Sequence, residues 1–146
     1  LRFFTVYGPW GRPDMALYKF TKNISENKKI PLHNHGKHLR DFTYIDDIVS
    51  GIYLSLINKP RGDIPAAIYN LGNNNEVSLK YFVSLIEKYL KKKSIIDNLP
   101  LQKGDIYRTK GDINLAKKKL GYRPTTSIDV GVKKFVNWYL DYHQNK

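Results

Sequence analysis

LRFFTVYGPWGRPDMALYKF, residues 1–20, decides the fold class. Leu1 to Val6 is aromatic, aliphatic or β-branched except for Arg2. Such a run suits a strand covered on both faces, as in a parallel sheet, where apolar and polar residues need not alternate. Gly8-Pro9 ends it, and the two glycines and two prolines of GPWGRP make residues 8–13 a loop. Asp14 is placed to cap a helix running from about Met15 to Asn23. Strand, loop and helix in this order open an α/β unit. The chain starts inside the strand, with no initiator methionine and no preceding cap.

Downstream, a short strand is expected near Ile30 to His33, then a turn at Gly36 and a strand through Asp41 to Ile45, so that Ile30 to Arg40 forms a hairpin. Asp46 or Asp47 is expected to cap the helix DIVSGIYLSLIN, whose Ile48, Ile52, Leu56 and Ile57 share a face. AIYNLG is a second short buried strand. Ser78 caps an amphipathic helix, NLPLQKGD is irregular, Asp112 caps DINLAKKKLGY with Gly121 as its stop, and Ser127 caps the last helix. Strands alternating with helices argue α/β, but the sheet is incomplete: the first strand needs a neighbour on each side, and the chain supplies about one.

Composition bounds the function. The 146 residues are 41% hydrophobic, enough for a packed core. There is no cysteine, which excludes disulfides and thiolate metal sites and fits a reducing, cytoplasmic setting. No apolar run is long enough to span a bilayer. The net charge of +12 favours anionic partners, although Lys91-Lys92-Lys93 and Lys117-Lys118-Lys119 are best read as solvated helix ends. HNHGKH places His33 and His35 on one strand face with His38 behind, but a flexible glycine and the absence of any nearby Cys make a polar hairpin rim the better reading than a metal site.

RFFTVYGPWGRPDMA (2–16), GKHLRDFTYIDDIVSGI (36–52), YNLGN (69–73) and the tail GDINLAKKKLGYRPTTSIDVGVKKFVNWY (111–139) together resemble the C-terminal half of the NAD-dependent epimerase/dehydratase family, the extended short-chain dehydrogenase/reductases, and within it the UDP-glucuronate 4-epimerase type. The resemblance implies an α/β fold: a substrate-binding lobe (10–40 and 77–146) plus the last strands and one helix of an incomplete Rossmann-type sheet (1–9 and 41–76). It explains the abrupt start, because in the family a dinucleotide-binding half precedes this strand and carries the glycine-rich turn and the catalytic Tyr-x-x-x-Lys pair. Neither is in place here. Tyr18/Lys22, Tyr89/Lys93 and Tyr142/Lys146 match that spacing in a chain with 11 tyrosines and abundant lysine, as chance would give. No catalytic residue is therefore assigned, and the chain is expected to be an inactive fragment that binds no NAD by itself.

By the same resemblance, Thr5 faces the sugar or its phosphate, and Phe4 lies on the nicotinamide side. Arg12 meets a diphosphate or a sugar carboxylate, and Met15 and Ala16 offer amides at a helix start, a place that favours anions. Leu32 and His33 lie at the uracil, with His33 where many relatives have Phe or Tyr. Arg40 bonds the pyrophosphate; Asp41 either holds its guanidinium in place or forms only a structural ion pair with it, and Asp105 lies near the ribose or the arginine network. Gln102 stands where some relatives have a phosphate-binding Arg. The expected partners are a UDP-sugar, the dinucleotide-binding half and, through bare strand edges, a second copy of the chain. A dehydratase, reductase or decarboxylase on the same scaffold remains an alternative. A basic nucleic-acid-binding module is a weaker one, since no helix-turn-helix, zinc-finger or RNP-type motif is found.

Overall fold

The computed structural model describes residues 1–63 and 65–144. The first strand is two pieces, β1 (Arg2–Phe3) and β2 (Thr5–Tyr7), interrupted at Phe4. The break lets one stretch serve two neighbours. β1 runs parallel to β5 (Asn70–Leu71), and β2 runs parallel to β4 (Leu39–Tyr44), which also pairs antiparallel with β6 (Glu76–Ser78). The chain thus supplies two neighbours rather than one, each to half of the strand. Cover on both faces is not reached: Leu1 and Phe3 are about half exposed. The AIYNLG strand shrinks to Asn70–Leu71 for the same reason, because only β1 pairs with it.

The expected hairpin from Ile30 to Arg40 does not form. β3 (Lys29–Leu32) pairs in parallel with β7 (Ile95–Asn98), a strand that the sequence reading missed along with β6. Between β3 and β4 lies a 3₁₀ turn, His33–Gly36, in which Asn34, His35 and Gly36 all take positive φ. His33 and His35 therefore share no strand face, and among the described residues no group of three His, Cys, Asp or Glu is placed to hold a metal.

Among the described residues, five helices complete the fold: α1 (Ala16–Ser25), α2 (Ile45–Ile57), α3 (Leu79–Leu90), α4 (Asn114–Leu120) and α5 (Ile128–Gln144). Leu17, Phe20, Thr21 and Ile24 recur at helical spacing and turn one face of α1 into the core. The Ser78 hydroxyl accepts the Tyr81 amide and caps α3, and the Ser127 hydroxyl does the same for Val130. Gly121 ends α4 at φ 73°. Asp112 accepts the Asn114 amide at the mouth of α4. Two expected caps are absent. Asp14 pairs with Arg12, leaving Met15 at the cap position of α1. Asp47, in the first turn of α2, accepts the amides of Thr125 and Thr126 and so anchors the approach to α5.

Two apolar clusters hold these elements. The larger joins β2, β3, β4 and β6 to α1, α3 and α5, with Phe42 stacked on Phe82 at 4.2 Å and Tyr7 edge-on to both. The smaller joins Ile48, Tyr69, Leu71, Ile113, Ala116, Leu120 and Tyr122, so that α4 packs on α2 and β5. The expected apolar face of α2 is only partly covered. Ile48 is buried, but Leu56 and Ile57 are more than half exposed, as are Val49 and Tyr53. No helix among the described residues is long and apolar enough to cross a membrane.

Candidate functional site

Strand alternation sets up the site. Successive side chains of β4 point to opposite faces, so Arg40 and Asp41 cannot serve the same one. Asp41 turns inward and is fully buried. Its carboxylate accepts the amides of Asn73 (2.7 Å), Asn74 (3.0 Å) and Gly111 (2.9 Å). It does not steady Arg40, contrary to expectation; it ties two loops to the sheet. Arg40 turns outward. Its Nη1 donates to the carbonyls of Leu39 (3.1 Å) and Tyr107 (3.2 Å), and its Nη2 to Asp105 Oδ1 (3.1 Å). The acid that holds the guanidinium is thus Asp105, from the loop before α4.

That loop is stitched to the sheet. Leu39 donates to the Tyr107 carbonyl and Thr109 donates back to Leu39. Arg108 makes a two-pronged pair with Glu76 on β6, which draws the Glu76 carboxyl below its ordinary value. The Asp105 amide donates to the carbonyl of Gln102, so Gln102 closes a turn.

A cavity of about 420 Å³ opens beside Arg40. Thr5 comes to it from β2, Met15, Ala16 and Lys19 from the start of α1, His33 from the 3₁₀ turn, His38 from the residue just before β4, Arg40 from β4, and Asp105 from the loop. Six of the residues named from the sequence, Thr5, Met15, Ala16, His33, Arg40 and Asp105, meet in this one cleft. The positive end of α1 lies at its wall. Lys19 and His38 were missed. His38 carried a legible signal, since it lies two residues before Arg40 and so on the same face of an extended chain.

A second cavity of about 550 Å³ shares Thr5, Met15 and Ala16 with the first and is otherwise mainly aromatic: Phe4, Tyr7, Trp10 and Tyr18 line it, with Arg12 at its rim. Phe4 leaves no room for a side chain at Gly111, where an added Cβ would come within 2.8 Å of its ring. Burial pushes the Tyr7 phenol well above its ordinary range, so it stays protonated and is no proton acceptor near neutrality. The Tyr18 and Tyr89 phenols are bonded to His143 and Asp129, and Lys146 lies outside the described residues. Leu32 stands apart: its side chain is buried in the larger core and lines neither cavity.

Residues 1–72 match the NAD-dependent epimerase/dehydratase family. The first half of the chain carries that family's pattern. UDP-glucuronate 4-epimerase 4 of Arabidopsis thaliana is 47% identical over 158 residues, spanning 98% of this chain and 36% of its own. Protein CapI of Staphylococcus aureus is 44% identical over 159 residues, spanning 99% of this chain and 47% of its own. The UDP-glucuronic acid 4-epimerase of Bacillus cereus, solved with UDP-glucuronic acid and NAD, superposes with a TM-score of 0.88 at 33% identity over 97% of this chain and 44% of its own. The chain thus spans less than half the length of these relatives. Its mixed α/β architecture, with a partial Rossmann-type arrangement, is that of the family.

Proposed function

We propose that the chain is the UDP-sugar-binding part of an NAD-dependent 4-epimerase of the UDP-glucuronate type, cytoplasmic, and inactive without a dinucleotide-binding half. The observation that carries this reading is the convergence of Thr5, Met15, Ala16, His33, Arg40 and Asp105 on one cleft. A nucleoside diphosphate needs a fixed guanidinium, a helix start for its charge and a flat wall for its base. Arg40 is the first, fastened at three points with part of its surface still open to the cavity. Met15 and Ala16 are the second. His33 is the third.

The sugar then extends past Thr5 into the aromatic cavity, where Arg12 is free to swing from Asp14 to a sugar carboxylate. The chemistry that NAD would supply, when bound, is hydride transfer at C4 of the sugar. The residues present fit that cofactor on one side only: Phe4 offers a wall, and Tyr7 is too buried to act as the base. In this reading 1–9 and 41–76 pack with the dinucleotide-binding half, while 10–40 and 77–146 form the substrate lobe, with α4 bridging to the first group by packing on α2.

Calorimetric titration with UDP, UDP-glucuronate and inorganic pyrophosphate tests the reading. The nucleotides are expected to bind and pyrophosphate not. Equal weak binding of all three would mean that a chain of net charge +12 merely attracts anions.

A further inference from the structure

The lining of the 420 Å³ cleft is electrically balanced: Lys19 and Arg40 stand against Asp14 and Asp105, with His33 and His38 as the remaining ionisable groups. A cleft that takes a diphosphate gains attraction only where this balance tips. His38 is built to tip it. Its side chain is only 4% exposed, and its Nε2 lies 3.1 Å from Asp105 Oδ2 while Arg40 Nη2 lies 3.1 Å from Asp105 Oδ1. The Nε2 contact is out of line for a hydrogen bond, and among the described residues this buried nitrogen has no such partner. One carboxylate therefore faces two cationic groups, one permanent and one conditional.

We infer that His38 is a positioning residue for Arg40, acting through their shared carboxylate, and that its protonation strengthens diphosphate binding in the cleft. A neutral imidazole leaves Asp105 to neutralise Arg40 alone. A protonated one takes up one oxygen of Asp105 and releases part of the guanidinium charge to the ligand. The groups facing this trio are fixed: Tyr107 on the same loop, its ring 6.3 Å from the imidazole, His33 on the 3₁₀ turn, Asp14 and Lys19 at the start of α1, and apolar Leu79 at the start of α3. His38 also donates rigidity to β4, since its carbonyl accepts the Leu79 amide, a bond that any residue at position 38 retains.

This inference rests on the nucleotide-sugar reading, and the test separates the two. UDP-glucose is the probe, because each of its phosphates is disubstituted, by one ester and one anhydride bond, and keeps a constant charge across the histidine range. Its affinity for the wild-type chain is expected to rise about three- to tenfold from about pH 8 to about pH 6. His38→Met is expected to flatten that slope, with His33→Gln keeping most of it. A His38→Met chain with the full wild-type slope would overturn the inference. Failure of the wild-type chain to bind UDP-glucose at either pH would sink the nucleotide-sugar reading instead. A ligand-free arm then decides His38: a thermal double-mutant cycle with His38→Met and Asp105→Asn should show stronger coupling at the lower pH, and equal coupling at both would overturn the inference.

Discussion

Asp41 and Asp105 do different work: one is a structural knot that gathers loop amides, the other holds the guanidinium that the ligand needs. Their variants should separate cleanly. Asp41→Ala leaves the buried Gly111 amide and the partly buried Asn73 and Asn74 amides without their acceptor and is expected to cost about 2 kcal/mol or more of stability, read by chemical denaturation. Arg40→Ala should leave the melting temperature nearly unchanged and weaken UDP-glucuronate about thirtyfold or more by calorimetry, as loss of a fixed guanidinium against phosphate does. If Arg40→Ala instead unfolds the chain, its three bonds serve the fold and not the cleft. The chemistry of both side chains was legible from RDFTY, but their division of labour was not. It depends on which face of β4 meets the core, and that is decided by β2 and β6, far away in sequence. Leu32 failed for the same reason: the neighbour that buries it belongs to β7 and α3.

At the scale of elements, the helices and most strands were legible, and the strand pairing was not. Helix periodicity and hydroxyl caps are local, so Ser78, Ser127 and Gly121 could be placed from the sequence. Strand pairing is not local, and β3 was assigned a hairpin partner when its true partner lies more than sixty residues on. The contact between α3 and α5 offers a pH test. Asp129 on α5 accepts from Tyr89 (2.6 Å) and Lys88 (2.9 Å) on α3, and these bonds hold its carboxyl below the ordinary value. A depressed carboxyl contributes stability that is present above its unfolded value and lost as pH falls through its folded value. Thermal stability should therefore decline below about pH 4, and Asp129→Asn should make that decline shallower. An unchanged acid limb in the variant would show that the hydrogen bonds do not favour the charged form. Glu76 and Glu87 are also depressed and supply the remainder of the limb.

At the scale of the whole molecule, one flank is unfinished. Val49, Tyr53, Leu56 and Ile57 of α2, with Leu1, Phe3 and Ile68 beside β1 and β5, present apolar surface at 48–68% exposure. Surface of this kind calls for a cover. The isolated chain is expected to self-associate in light scattering at micromolar concentration, and Tyr53→Glu with Leu56→Glu should shift it toward monomer. A monomeric wild-type chain with a cooperative melt would show that this flank needs no partner. The family was legible from long joint matches along the chain, whereas the open flank became visible only once α2 was seen to bury little beyond Ile48 and Gly51. The central claim is that the basic chain binds a nucleoside diphosphate at one built cleft and not across its lysine blocks. Backbone amide chemical-shift mapping during titration with UDP tests it most directly. The account predicts shifts confined to Thr5, Met15 to Leu17, His33, His38 to Arg40 and Asp105 to Tyr107; shifts spread over Lys91 to Lys93 and Lys117 to Lys119, or none at all, would contradict it.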